Sequence, residues 1–78
     1  MGLHYPQYRK YKNDQRYFKI ISSTEWEEIQ LLGGKYLLHR FTVKILPDRN
    51  FIHDMTFDYK ENWEKIGEEE YLKISRLT

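Results

Sequence analysis

The chain contains no cysteine, so a disulfide scaffold and any thiolate metal site are excluded. It contains no alanine either, and it is rich in Lys, Ile and Tyr. That bias suits an AT-rich bacterial or phage gene. No apolar run approaches the ~18–20 residues of a membrane-spanning helix, so no membrane partner is expected. Met1-Gly2-Leu3-His4-Tyr5-Pro6 opens no secretory signal, and a cytoplasmic location is expected. Patterns that carry chemistry are also missing. Gly33-Gly34 lacks the Lys-Ser/Thr of a phosphate-binding loop, and no Ser stands in a Gly-x-Ser-x-Gly elbow. His4, His39 and His53 form neither His-Glu-x-x-His nor His-x-His. Catalysis, cofactors and metal ions are therefore not expected.

What the chain does have is aromatic mass: 7 Tyr, 4 Phe and 2 Trp in 78 residues. A domain this small buries only about 60–65% of the surface its unfolded chain exposes. Each aromatic ring can bury roughly 150–250 Å², so the rings are core candidates first and recognition candidates second. The net charge of +1 conceals blocks of opposite sign. Residues 1–19 carry +4, residues 20–34 carry −3, residues 35–53 carry +3 and residues 54–78 carry −3. Acidic blocks at helix starts would account for part of this pattern.

Residues 16–21 read as a strand. Ser22-Ser23-Thr24 offers an N-cap, and Ser22…Glu25 and Thr24…Glu27 have capping-box spacing. Trp26, Ile29 and Leu32 recur at i, i+3 and i+6 before Gly33-Gly34, which predicts a short helix over 25–32. Phe41, Val43 and Ile45 alternate with Arg40, Thr42 and Lys44, the signal of a strand over 35–46. Pro47-Asp48-Arg49-Asn50 reads as a turn, and residues 51–57 as the returning strand of a hairpin. In that hairpin His39 would oppose Asp58. Residues 58–62 read as a polar loop and 63–66 as a short extended piece. A final helix over 67–77 would carry Tyr71, Ile74 and Leu77 on one face and Glu68-Glu69-Glu70 in its first turn.

The expected fold is a small single α+β domain over residues 16–78, in the order β-α-β-β-(β)-α. An antiparallel sheet would carry two short helices on one face, with Trp26 and Tyr71 meeting Phe41, Val43 and Ile45 in the interior. Residues 1–15 would form a basic, aromatic N-terminal arm. Phe18, Ile21, Glu25, Trp26, Ile29 and Leu32 also match Trp63, Ile66, Glu70, Tyr71, Ile74 and Leu77 at an offset of 45. Strand-to-helix junctions converge on such a pattern without duplication.

Two His–Asp pairings and one acidic run invite chemistry. His39 with Asp58, or His53 with Asp54, could serve acid–base work or hold a metal, and an ordinary hydrogen bond explains either one. Glu68-Glu69-Glu70 is explained by a solvated helical first turn.

The arm is the most informative segment. Tyr5, Tyr8 and Tyr11 fall at every third residue, interleaved with Arg9, Lys10 and Lys12. Rings plus cations suit single-stranded nucleic acid, a partner protein with an acidic surface, or packing of the arm on its own domain. Arg40 and Lys44 on the hairpin would extend the basic surface. The sequence thus points to a non-catalytic protein–protein interaction module, an accessory or inhibitor protein. Its alternative is a nucleic-acid-binding protein using the same surface. A homodimer is a further expectation, from the aromatic excess and an unpaired strand edge.

Overall fold

In a computed structural model of the chain, residues 4–44 and 46–78 are described, the side chains of residues 46–49 excepted. Four strands follow one another as a meander. They are β1 (Gln7–Tyr11), β2 (Arg16–Ile20), β3 (Glu25–Leu32) and β4 (Lys35–Thr42). Helix α1 (Leu46–Thr56) then leads to β5 (Trp63–Lys65) and helix α2 (Glu68–Ser75). The sheet order is β4-β3-β2-β1-β5, and every pairing is antiparallel. The α+β class is as expected, and so are the strands at 16–20 and 35–42, the extended piece at 63–65 and the last helix.

Three expectations about individual elements are overturned. First, residues 25–32 form β3 and not a helix. The hydroxyl segment closes a hairpin instead of capping: Ser22 Oγ accepts the Thr24 N–H at 3.1 Å, and the Glu25 carbonyl accepts the Ile21 N–H at 3.0 Å. Gly33 and Gly34 both have positive φ, +59° and +81°. That is the backbone of a two-residue hairpin turn whose twist matches the flanking strands. Second, residues 46–56 form α1 where a turn and a returning strand were expected. Pro47 sits in the first turn, where its missing N–H costs nothing. Ile52 and Met55 are buried at i, i+3, with Phe51 packed beside them. Third, residues 7–11 are a sheet strand, so the chain has no free arm from Gln7 onward. Residues 1–3 of the expected arm lie outside the described residues.

The helices lie on opposite faces of the sheet, not on one. On one face α1 covers Phe18, Ile20 and Trp26, with Trp63 beside them. Phe18 is fully buried; its ring meets Tyr11 at 5.1 Å, Phe51 at 5.9 Å and Trp63 at 6.2 Å. On the other face α2 sets Tyr71 against Tyr8, Tyr17 and Ile29. Trp26 and Tyr71 therefore do not meet. Val43 packs against the α1-side cluster, Phe41 is exposed, and Ile45 lies outside the described residues. The offset-45 likeness extends only to Phe18 and Trp63, both on strands, since residues 25–32 form a strand and 68–75 a helix.

This arrangement places Ile29 at 0% exposure and Leu32 at 57%; a helix over the same residues would bury both. Ile29→Ala should cost about 2–5 kcal/mol by leaving a core cavity. Leu32→Ala should stay within about 0.5 kcal/mol of wild type. Urea denaturation of the two variants checks this.

The tyrosine cluster also sets a pH dependence. Tyr71 is 1% exposed, and its hydroxyl donates to Glu27 Oε1 at 3.0 Å. Burial first, and the Glu27 carboxylate second, push its pKa well above the usual 10.0. Tyr8 and Tyr17 are raised as well, chiefly by burial. Lys10 is raised mainly by its hydrogen bond to Asp14. Each of these groups holds its proton more tightly folded than unfolded. Their contribution is complete below the unfolded pKa values and is lost as pH rises through the folded ones. Urea midpoints should hold level to about pH 9 and fall steadily toward about pH 11.5. Tyr71→Phe should make that fall shallower.

Candidate interaction surface

The residues expected to bind a partner do not share a surface. A three-residue repeat in a strand alternates faces. Tyr8 therefore points to the α2 side and Tyr11 to the α1 side. Tyr8 is buried, and its hydroxyl donates to Glu68 Oε2 at 3.3 Å. Tyr5 and Tyr11 are partly buried against the α1-side cluster. Lys10 reaches Asp14 at 2.7 Å and Glu70 at 3.6 Å, on the protein's own acidic side chains. Lys12 is exposed in the β1–β2 turn, where its N–H donates to the Asn62 carbonyl at 3.3 Å.

Arg9 departs furthest from expectation: it is 2% exposed. Its Nε donates to the Met55 carbonyl at 2.9 Å and its Nη1 to the Tyr8 carbonyl at 2.8 Å. Nη2 donates to Gln7 Oε1 at 2.8 Å and reaches the Thr56 carbonyl at 3.5 Å. The guanidinium lies 4.2 Å from the centre of the Tyr59 ring. Among the described residues no carboxylate bridges it, and burial pushes its pKa below the usual range. Arg9 thus ties β1 to the carbonyl end of α1 from inside the fold.

Of the expected binding residues, Arg40 and Lys44, like Lys12, stay on the outside. Arg40 Nη2 pairs with Glu27 Oε2 at 3.1 Å across β3–β4. His39 and Asp58 are not brought together: His39 is on β4, and Asp58 follows α1. His53 Nδ1 instead lies 4.0 Å from both Asp54 and Asp58 at the end of α1. Ligand atoms of these three exposed residues fall within 4.8 Å of one another. One imidazole and two carboxylates match zinc-type donors, so these are the described residues that could hold a metal ion. Nearby, Phe57, Asp58, Lys60 and Glu61 line an open groove of about 530 Å³.

The feature that the basic-arm pattern obscured is the free edge of β4. It runs for eight residues, Lys35–Thr42, all exposed except the half-buried Tyr36. Val43 donates its N–H to the Thr24 carbonyl at 2.7 Å. Hydrogen-bonded pairs alternate in an antiparallel ladder, so Phe41, His39, Leu37 and Lys35 also aim their main-chain groups at β3. Tyr36, Leu38, Arg40 and Thr42 aim theirs outward. Around this edge stand Leu32 at 57%, Leu37 at 39%, Leu38 at 46% and Phe41 at 37% exposure. They are four of the seven exposed large apolar side chains among the described residues. Leu37 and Phe41 lie on the α1 side of the sheet and Leu38 on the α2 side, by register with Gln30, Trp26 and Ile29. Phe41 stacks on Trp26 at 4.9 Å, which holds its ring at the rim of the core. The opposite edge, β5, offers only three residues.

Arg9→Met keeps the buried stem but removes the donors. It should cost about 1.5–3 kcal/mol, the usual loss for hydrogen bonds to a charged group. Lys12→Ala should stay within about 0.5 kcal/mol. Thermal unfolding of both variants checks this; an arm residue at position 9 would leave stability unchanged.

In comparison with known proteins, the chain matches no protein-family model, no curated protein and no solved structure.

Proposed function

We propose that this protein is a non-catalytic interaction module, and that it takes a strand of another polypeptide onto the free edge of β4. One observation carries the reading: an eight-residue edge strand with outward main-chain groups and apolar side chains on both faces. Long, open, apolar edges pair readily with other chains, and proteins that must stay alone blunt them with Pro, bulges or inward charges. Residues 35–42 contain neither Pro nor Gly. Strand addition draws affinity from main-chain hydrogen bonds and specificity from alternate side chains. Leu37 and Phe41 on one side and Leu38 on the other are placed to supply that specificity. This moves the expected contact surface from the N-terminal residues to β4, with Arg40 retained and Lys44 just beyond the strand. The nucleic-acid alternative loses its main support, because Tyr8 and Arg9 are buried and Lys10 is engaged by Asp14 and Glu70. An accessory or inhibitory role acting by occlusion fits a module of this kind.

The test is native co-purification with wild type and Leu38→Pro. Position 38 aims its N–H outward, so proline there removes a donor the folded chain does not use, as edge strands tolerate. A stoichiometric protein partner kept by wild type and lost by the folded variant supports the reading. A partner indifferent to the substitution refutes it. Oligonucleotide binding that weakens steeply with salt would transfer the function to nucleic acid.

A further inference from the structure

Resting on the strand-addition reading, the geometry points to a second copy of this chain as the strand that β4 accepts. We infer that two β4 strands pair antiparallel about a two-fold axis through His39. Residues opposed in an antiparallel ladder place their side chains on the same face. Among registers that satisfy this, one engages all four outward-facing residues. Tyr36 then opposes the partner's Thr42, and Leu38 opposes the partner's Arg40, with the same two pairs repeated across the axis. That makes about eight main-chain hydrogen bonds. Shifting the register by one step either way sets Thr42 against the turn glycine Gly34, or runs Tyr36 past the end of the strand.

The side chains agree with this register. On the α1 side, Leu37 meets the partner's Phe41 twice, covering side chains that are otherwise exposed. On the α2 side, Leu38 meets the stem of the partner's Arg40. That guanidinium does not arrive as a bare charge, because Glu27 of its own chain already holds it at 3.1 Å. Lys35 and its symmetry mate fall at opposite ends of the ribbon. At ~3.3 Å per residue they stand about 26 Å apart, well beyond a Debye length of about 8 Å. A contact of this kind is isologous and closes on itself, removing the long free edge from both copies. The two five-stranded sheets become one.

Sedimentation equilibrium and hydrogen exchange on the intact chain test the inference. Wild type should sediment as a dimer, and folded Leu38→Pro should raise the dissociation constant by at least about tenfold. Amides of Tyr36, Leu38, Arg40 and Thr42 should gain protection with concentration. Those of Leu37, His39 and Phe41 should exchange slowly at every dilution. The absence of cysteine allows the register to be read directly. His39 lies on the axis in a non-hydrogen-bonded pair, with Cα atoms about 4.5 Å apart, within reach of a disulfide. His39→Cys should oxidise readily to a covalent dimer, and Leu37→Cys far more slowly. Equal rates for the two variants would overturn the register. A monomer at every concentration, with the even-numbered amides open throughout, would overturn the second copy as partner. Strand addition by a different protein would then still be decided by co-purification with Leu38→Pro.

Discussion

The guanidinium of Arg9 joins an interior strand of the sheet to the end of the helix that crosses it. Helix α1 has to carry the chain from β4 at one edge of the sheet to β5 at the other. Its last carbonyls lack intrahelical partners and bear the negative end of the helix dipole. Arg9 reaches two of them, at Met55 and Thr56. A cation at a helix carbonyl end is favourable, and its burial is offset by four hydrogen bonds and a tyrosine ring. Without this tie the α1 face would rest on apolar packing alone. With it, β1 is fixed on both edges and against the helix above it.

From this follows a sheet covered on both sides through its middle and uncovered at one edge. α1 occupies one face and α2 the other, so β1, β2 and β3 bury residues of both parities. α2 touches β4 only around Tyr36, and the other seven residues of the strand stay exposed. The charge blocks fall into place on the same plan. Basic side chains of β1, β2 and β4 meet acids of β3 and α2, as Arg16 does with Glu28 at 2.7 Å and Lys10 with Glu70. Part of the alternation of sign along the chain is therefore cross-strand and sheet-to-helix pairing, through Lys10, Arg16 and Arg40.

Some elements were legible and others were not, for identifiable reasons. The strand expected over 35–46 was found over 35–42; the alternation that marked it ran past its end, through Val43 and Lys44. Three glutamates ahead of Tyr71 and Ile74 marked α2, because a first-turn acidic run has few other uses. β3 misled. With both faces covered it has no period of two, and Trp26 and Ile29, three apart on opposite faces, imitate a helical stripe. Glu28 sits on the α1 face paired with Arg16, which further hides the alternation. Yet Gly33-Gly34 followed by an alternating segment is a hairpin signal, and it outranks the helix-stop reading given to it. α1 misled in the opposite sense. Phe51, His53, Met55 and Phe57 imitate a strand, while the buried positions, Ile52 and Met55, follow helical spacing. An unpaired strand edge was expected, but residues 35–42 were read as half of a central hairpin, so nothing local marked β4 as that edge. Which of its groups face outward depended on its pairing with β3.

Composition and pattern by themselves determined an aromatic-cored α+β domain with no thiol chemistry and with oppositely charged segments that must find one another. Local propensities and turn residues act within a few positions of themselves, so those features survive any arrangement of the elements. Whether Tyr8 and Arg9 would grip a partner or fill the interior was not a local question. β1 is paired on both of its edges, and α1 brings carbonyls from more than forty residues away to the Arg9 side chain. Contacts of that range come from where the elements pack, and packing alone turned an apparent binding arm into the centre of the fold and left β4 as the open edge.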